Sequence, residues 1–107
     1  MGDRKVAVLW TERADRDLGR AIAFAEERGG RAPDRVARAV LERGDLLASQ
    51  PELGSPVELD GEPTRYRRVV AGTYSIYYRV SEAVDATEVI VIRVWHSSRD
   101  PATLVLE

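Results

Sequence analysis

His96 is the one histidine of this 107-residue chain, and a lone imidazole near neutral pH can serve as a general base or acid. It sits in the run Val94-Trp95-His96-Ser97-Ser98-Arg99-Asp100, where the structural alternative is an end-of-strand imidazole hydrogen-bonded to the nearby Arg-Asp segment. Arg65, Arg67 and Arg68 are crowded together, and their forked donors suit phosphates or a partner's carboxylates. The same charges are also what an exposed edge strand uses to avoid aggregation. Tyr77 can stack on a base or a partner side chain, although tyrosine is also a favoured strand residue. Glu62 is a candidate base only if its loop folds over the sheet. The chain has no cysteine, which excludes disulfides, thiolate metal sites and cysteine nucleophiles. With one histidine, a histidine-rich metal site within one chain is excluded as well, so neither a metal nor another cofactor is expected.

The elements that must hold these residues follow from periodicity. Lys5-Val6-Ala7-Val8-Leu9-Trp10 is a short apolar run, read as a strand buried on both sides. Thr11 is a good N-cap and Glu12 puts a negative charge in the first turn of a helix. Along it Ala14, Leu18, Ala21, Ile22 and Ala25 recur at helical spacing up to Gly29-Gly30. Pro33 and Asp34 open a second helix with an apolar face of Val36, Ala37, Val40, Leu41, Leu47 and Ala48, ended by Pro51. A loop of about four residues between them predicts an antiparallel hairpin. Residues 51–63 are punctuated by three prolines and two glycines, and read as a loop with a short edge strand at Val57-Glu58-Leu59. Three strand-like runs follow, 65–70, 74–80 and 88–95, as successive antiparallel hairpins, with the acids of 81–88 in a solvated turn.

The expected fold class is therefore α+β: an N-terminal strand, then an antiparallel helix hairpin packed on a C-terminal antiparallel sheet of three to four strands. Alternation along strands predicts the faces. Tyr74, Ile76, Tyr78 and Val80, with Ile90, Ile92 and Val94, are expected under the helices. Tyr77, Arg79, Arg93 and Trp95, together with Val89 and Val91, are expected on a second, partly open face, whose aromatic and arginine content suits a recognition surface, or a solvated face with snorkelling arginines.

Length and composition, 44% hydrophobic and 32% charged, fit one domain over 1–107. No apolar run is long enough to span a membrane, and Met1-Gly2-Asp3-Arg4-Lys5 leads into too few apolar residues for a signal peptide, so a soluble cytoplasmic protein is expected. The net charge of -2 disfavours free nucleic acid as main partner. Residues 1–64 carry 10 basic and 13 acidic groups, residues 65–107 carry 6 and 5, so the second part is the less acidic one.

Three stretches together resemble the ParE/RelE toxin superfamily. They are the opening strand with Trp10-Thr11-Glu12-Arg13-Ala14-Asp15-Arg16-Asp17-Leu18, the helix ending Leu47-Ala48-Ser49-Gln50-Pro51-Glu52-Leu53-Gly54, and the terminal run. That run comprises Arg68-Val69-Val70-Ala71-Gly72-Thr73-Tyr74-Ser75-Ile76-Tyr77-Tyr78-Arg79-Val80 and Val91-Ile92-Arg93-Val94-Trp95-His96-Ser97-Ser98-Arg99-Asp100-Pro101. The resemblance implies a toxin neutralised by a cognate antitoxin, encoded by a neighbouring gene. RelE-like members are similar to ribosome-dependent messenger-RNA endonucleases, whose chemistry needs a base at the ribose 2′-oxygen, a cation at the phosphate and an acid at the leaving oxygen. For that branch the candidates are His96 with Arg65, Arg68 or Arg79. ParE-like members resemble DNA gyrase poisons, which need a binding surface and no catalytic set. The ribonuclease branch commonly has an arginine where this chain has Ser75, so the resemblance favours the ParE branch, with plasmid stabilisation and growth arrest as its usual context. The surface then expected to bind antitoxin or target is Leu18, Ile22, Arg65, Arg67, Arg68, Tyr77, Arg79, Arg93, Trp95 and Arg99. A degenerate toxin that only partners its antitoxin is the third alternative.

Overall fold

A computed structural model describes residues 5–106; Met1–Arg4, which carry the expected absence of a signal peptide, and Glu107 lie outside it. Strand β1 (Lys5–Trp10) leads into helix α1 (Glu12–Glu26) and helix α2 (Ala32–Leu46). Four strands follow, β2 (Ser55–Leu59), β3 (Glu62–Ala71), β4 (Tyr74–Glu82) and β5 (Ala86–His96), and the chain ends past a 3-10 turn at Pro101–Thr103. The expected α+β class holds. Thr11 caps α1 as its type predicts, its hydroxyl accepting from the Ala14 N–H at 3.1 Å. Gly29 and Gly30, with φ of 72° and 61°, supply the left-handed backbone that turns the chain between the helices.

All five strands form one sheet in the order β1-β5-β4-β3-β2. β1 lies parallel to β5, with Val8 opposite Val89, and every other pairing is antiparallel. The first strand therefore joins the sheet made by the last ones. It is an edge, and its residues alternate between exposed and half-buried; Leu9 is 45% exposed. Burial on both sides was the wrong expectation, because an apolar run does not reveal that no strand lies beyond it.

The segment after α2 is more ordered than its prolines suggest. Asp60 and Gly61 both have positive φ, 53° and 79°, which makes the two-residue turn that joins β2 to β3 in a hairpin. The strand at 57–59 thus extends to Ser55, and β3 begins at Glu62.

One layer of core lies between helices and sheet: α1 packs over β5 and α2 over β3 and β4. Its fully buried members include Ala14, Val40, Leu47, Ile76, Tyr78, Val89 and Val91. Val89 and Val91 were expected on the opposite face. The reason is a β-bulge: the β4–β5 register passes from Tyr77 opposite Arg93 to Tyr78 opposite Val91, leaving Ile92 unpaired. One extra residue inverts the alternation, so Ile92 packs beneath the sheet while Val94 still faces the helices.

Candidate functional site

The face opposite the helices is not open. Tyr66, Tyr77, Trp95 and Leu106 form a second buried cluster, with Val57, Ile92 and Leu104 against it. The chain after β5 crosses back over the sheet and seats Leu104 and Leu106 on the aromatic rings. Asp100 shapes the crossing, its carboxylate accepting from the Ala102 N–H at 2.9 Å. Arg93 then donates to the Val105 carbonyl at 3.1 Å. Tyr77 and Trp95 are only 5% and 4% exposed, which corrects the expectation that they lie on a partly open surface. The correction has a simple cause: eleven residues without periodicity follow His96, and nothing in them declares where they lie. Trp95 also carries two guanidinium groups, Arg99 at 3.6 Å and Arg93 at 5.1 Å from the ring centre.

Arg93 is committed to Asp17. Its Nε and Nη2 donate to the two carboxylate oxygens at 2.7 and 3.1 Å, and the Val94 N–H donates to the same carboxylate at 3.0 Å. β1 ends at Trp10, opposite Val91, so the outer edge of β5 beyond that point lacks a strand partner. Thr11 covers the Val91 and Ile92 carbonyls with its N–H and hydroxyl, and Asp17 covers the Val94 N–H. The pair is almost fully buried, and removing one partner from such a pair typically costs about 3–5 kcal/mol. Sequence reading missed Asp17. Its signal was present: it falls on the same helical face as Ala14 and Ala21, where a carboxylate is buried only when paired.

His96 lies at the end of β5 on the helix side. Its ring meets that of Tyr74 edge-on at 5.0 Å. Nδ1 accepts from the Ser98 N–H at 3.0 Å and lies 2.7 Å from the Ser98 hydroxyl, so the neutral ring carries its proton on Nε2. His96, Tyr74, Arg20, Phe24, Arg28 and Arg99 border a cleft of about 470 Å³ between α1 and the end of the sheet, floored by Ala21 and Val94. Phe24 is 53% exposed and Arg28 sits over its ring at 5.3 Å. Burial raises the Tyr74 phenol above its ordinary pKa, and the nearby Arg28 charge partly opposes this. Arg20, Phe24 and Arg28 were not singled out from the sequence, since each alone looks like a solvated helix residue.

The remaining arginines are elsewhere. Arg67 donates to the Gly54 carbonyl at 2.7 Å and holds the loop after α2. Arg65 lies beside the Tyr66 ring, 5.5 Å from its centre. Arg68 is exposed and opposite Tyr77, and Arg79 is half-buried and opposite Tyr66. Leu18 and Ile22 are half-buried on α1, Leu18 against the main core. Ser75 is 5% exposed, between Val70 and Trp95 on the neighbouring strands. Glu62 is exposed at the start of β3, in the hairpin with β2.

A family model described as the ParE toxin of the type II toxin–antitoxin system parDE matches residues 8–101. The chain belongs to this family. As a ParE-family protein it is a toxin of the type II toxin–antitoxin class. No curated protein matches it significantly. In structure this ParE-family chain is similar to one in the toxin–antitoxin complex RelBE2 from Mycobacterium tuberculosis, at 25% identity and a TM-score of 0.63, over 88% of this chain and 99% of that one. It also shares its fold with a chain of the chromosomal ParDE system from P. aeruginosa, at 16% identity and a TM-score of 0.64, over 88% and 98%. A third likeness is the YoeB/ParE toxin from Agrobacterium tumefaciens, at 21% identity and a TM-score of 0.52, over 84% and 97%. Among the described residues no helix is long and apolar enough to cross a membrane.

Proposed function

We propose that this toxin is neutralised by a cognate antitoxin and acts on DNA gyrase by protein–protein contact, without catalysing a reaction itself. The observation that carries this reading is the separation of His96 from Arg68 and Arg79, two of the arginines that the ribonuclease branch would pair with it. Tyr74 is opposite His96 and Arg79 is opposite Ile90, five positions further along β4, which is roughly 16 Å at about 3.3 Å per residue. The His96 ring is on the helix side with Tyr74, whereas Arg68 is opposite Tyr77, a member of the cluster on the other face. A base and a cation acting on one phosphodiester must both come within hydrogen-bond reach of it. Ser75, at the position where the ribonuclease branch commonly has a cation, is a buried hydroxyl.

Controlled expression with and without the antitoxin tests this. Toxicity reversed by the antitoxin, with an SOS response and cleaved DNA, is the expected result. His96→Ala is expected to reduce toxicity only modestly, since most single truncations in an interface cost about 1 kcal/mol or less. Loss of a general acid or base costs about 10² to 10⁴ in rate. Translation-dependent messenger-RNA cleavage that His96→Ala abolishes overturns the gyrase reading in favour of an endoribonuclease. Normal growth at high soluble expression leaves only a degenerate toxin.

A further inference from the structure

The cleft beside α1 has an unusual balance of polar groups. Arg20, Arg28 and Arg99 bring guanidinium groups to its border, and His96 contributes its Nε2–H, since Nδ1 is occupied by Ser98. The carboxylate lining it, Asp17, has its oxygens engaged by Arg93 and the Val94 N–H. The charged side chains left to face a ligand there are thus hydrogen-bond donors. Beneath them lies apolar surface, and the half-exposed Phe24 ring is an apolar surface that water covers unless something else does. Arg99 is held in place by its stacking on Trp95, so its donors are positioned in advance.

We propose that this cleft binds an acidic peptide segment, with one apolar side chain seated on Phe24 and Tyr74 and flanking carboxylates held by Arg20, Arg28 and Arg99. Charge complementarity sets the sign of the occupant, and the volume of about 470 Å³ accommodates a side chain with part of its backbone. A nucleic-acid strand fits less well: it needs a basic track along repeated phosphates, and this chain carries 18 acidic against 16 basic groups. The site is separate from the arginines of β3, because β4 lies between β3 and β5. It is independent of whether gyrase is the target.

Nuclear magnetic resonance titration of the whole chain with the peptide acetyl-Glu-Leu-Glu-Asp-amide tests the site at weak affinity. Saturable shifts are expected at Ala21, Phe24, Val94, Ser98 and the His96 ring. The double variant Arg20→Gln/Arg28→Gln should weaken binding tenfold or more while the rest of its spectrum is preserved, as both residues are exposed. The neutral peptide acetyl-Gln-Leu-Gln-Asn-amide and the anchor-free acetyl-Glu-Ser-Glu-Asp-amide should each bind much more weakly. Four results overturn the proposal: no saturable shift in the cleft, shifts centred on Arg65–Arg68, equal response to the neutral peptide, or unchanged affinity in the double variant. Tighter binding of a single-stranded tetranucleotide at the same residues overturns it in favour of a nucleic-acid site.

Discussion

Tyr78 shows how much one side chain organises. It is fully buried in the central strand, and its hydroxyl accepts from the Gly54 N–H and donates to the Pro51 carbonyl, each at 2.8 Å. One phenol therefore fixes the loop that leads from α2 into β2. The approach is close enough that a Cβ on Gly54 would lie 2.9 Å from that oxygen and 2.8 Å from the Arg68 carbonyl, so only glycine fits without a shift. Tyr78→Phe is expected to cost about 1–3 kcal/mol, because it leaves a buried N–H without its acceptor. Urea unfolding should show a lower midpoint with an unchanged slope. The phenol also predicts a pH dependence. Burial raises the Tyr78 pKa above 10.0, more than the Gly54 hydrogen bond and the Arg67 charge lower it. The native state therefore favours the neutral phenol, a contribution complete below about pH 10 and lost as pH rises through the higher native value. Tyrosinate absorbance should show Tyr74 and Tyr78 ionising above the ordinary value, the Tyr78 part together with unfolding; the Tyr78→Phe protein should lack that part and keep the Tyr74 one. Ionisation of every tyrosine at the ordinary value in the folded protein would remove the effect.

At the level of elements, the legible parts of the chain were those whose signal is local. Thr11 announced the start of α1, Gly29-Gly30 its end, and the Tyr74–Val80 alternation the buried face of β4. What was not legible depends on partners distant in sequence. Parity along β5 failed at Ile92 because a bulge is set by the pairing, and no residue type there marks it. The prolines made residues 51–63 read as a loop, yet Asp60-Gly61 is a hairpin dipeptide and both Pro56 and Pro63 sit in the edge hairpin where they are tolerated. The terminal segment was the largest omission, since its role comes from the aromatic face it covers. That role is testable. Removal of residues 101–107 should expose Trp95 and Tyr77 and shift tryptophan emission to longer wavelength, read in a Trp10→Phe background so that Trp95 alone reports. The stability loss should be a few kcal/mol, the scale of burying two leucines. Unchanged emission would mean that the segment does not cover the sheet in solution.

The candidate site followed the same rule at the scale of the whole molecule. The arginines and aromatics read from the sequence are present, yet folding divides them among an internal ion pair, a loop clamp, a covered aromatic cluster and an α1 cleft. Both faces of the sheet are covered, one by helices and one by the chain's own end, so a protein partner meets edges, the cleft and exposed cations such as Arg68. A partner that binds only this assembled surface must stabilise it, by about 2.7 kcal/mol when present at one hundred times its dissociation constant. For a chain near this length, each kcal/mol moves the melting temperature by roughly 4–8 °C, so saturation with the antitoxin should raise it by about 10 °C or more. The dependence on antitoxin concentration should follow the logarithm, and higher salt should reduce the gain where acidic side chains meet Arg20, Arg28 or Arg68. Arg68→Glu should reduce it at low salt and differ less from the parent protein at high salt. Differential scanning fluorimetry of the toxin mixed with a small protein encoded by an adjacent gene, the expected place of the antitoxin, measures this directly. A melting temperature that does not move at any ratio of the two would show that this neighbour does not bind the native fold, and the assignment of an antitoxin to it would fall.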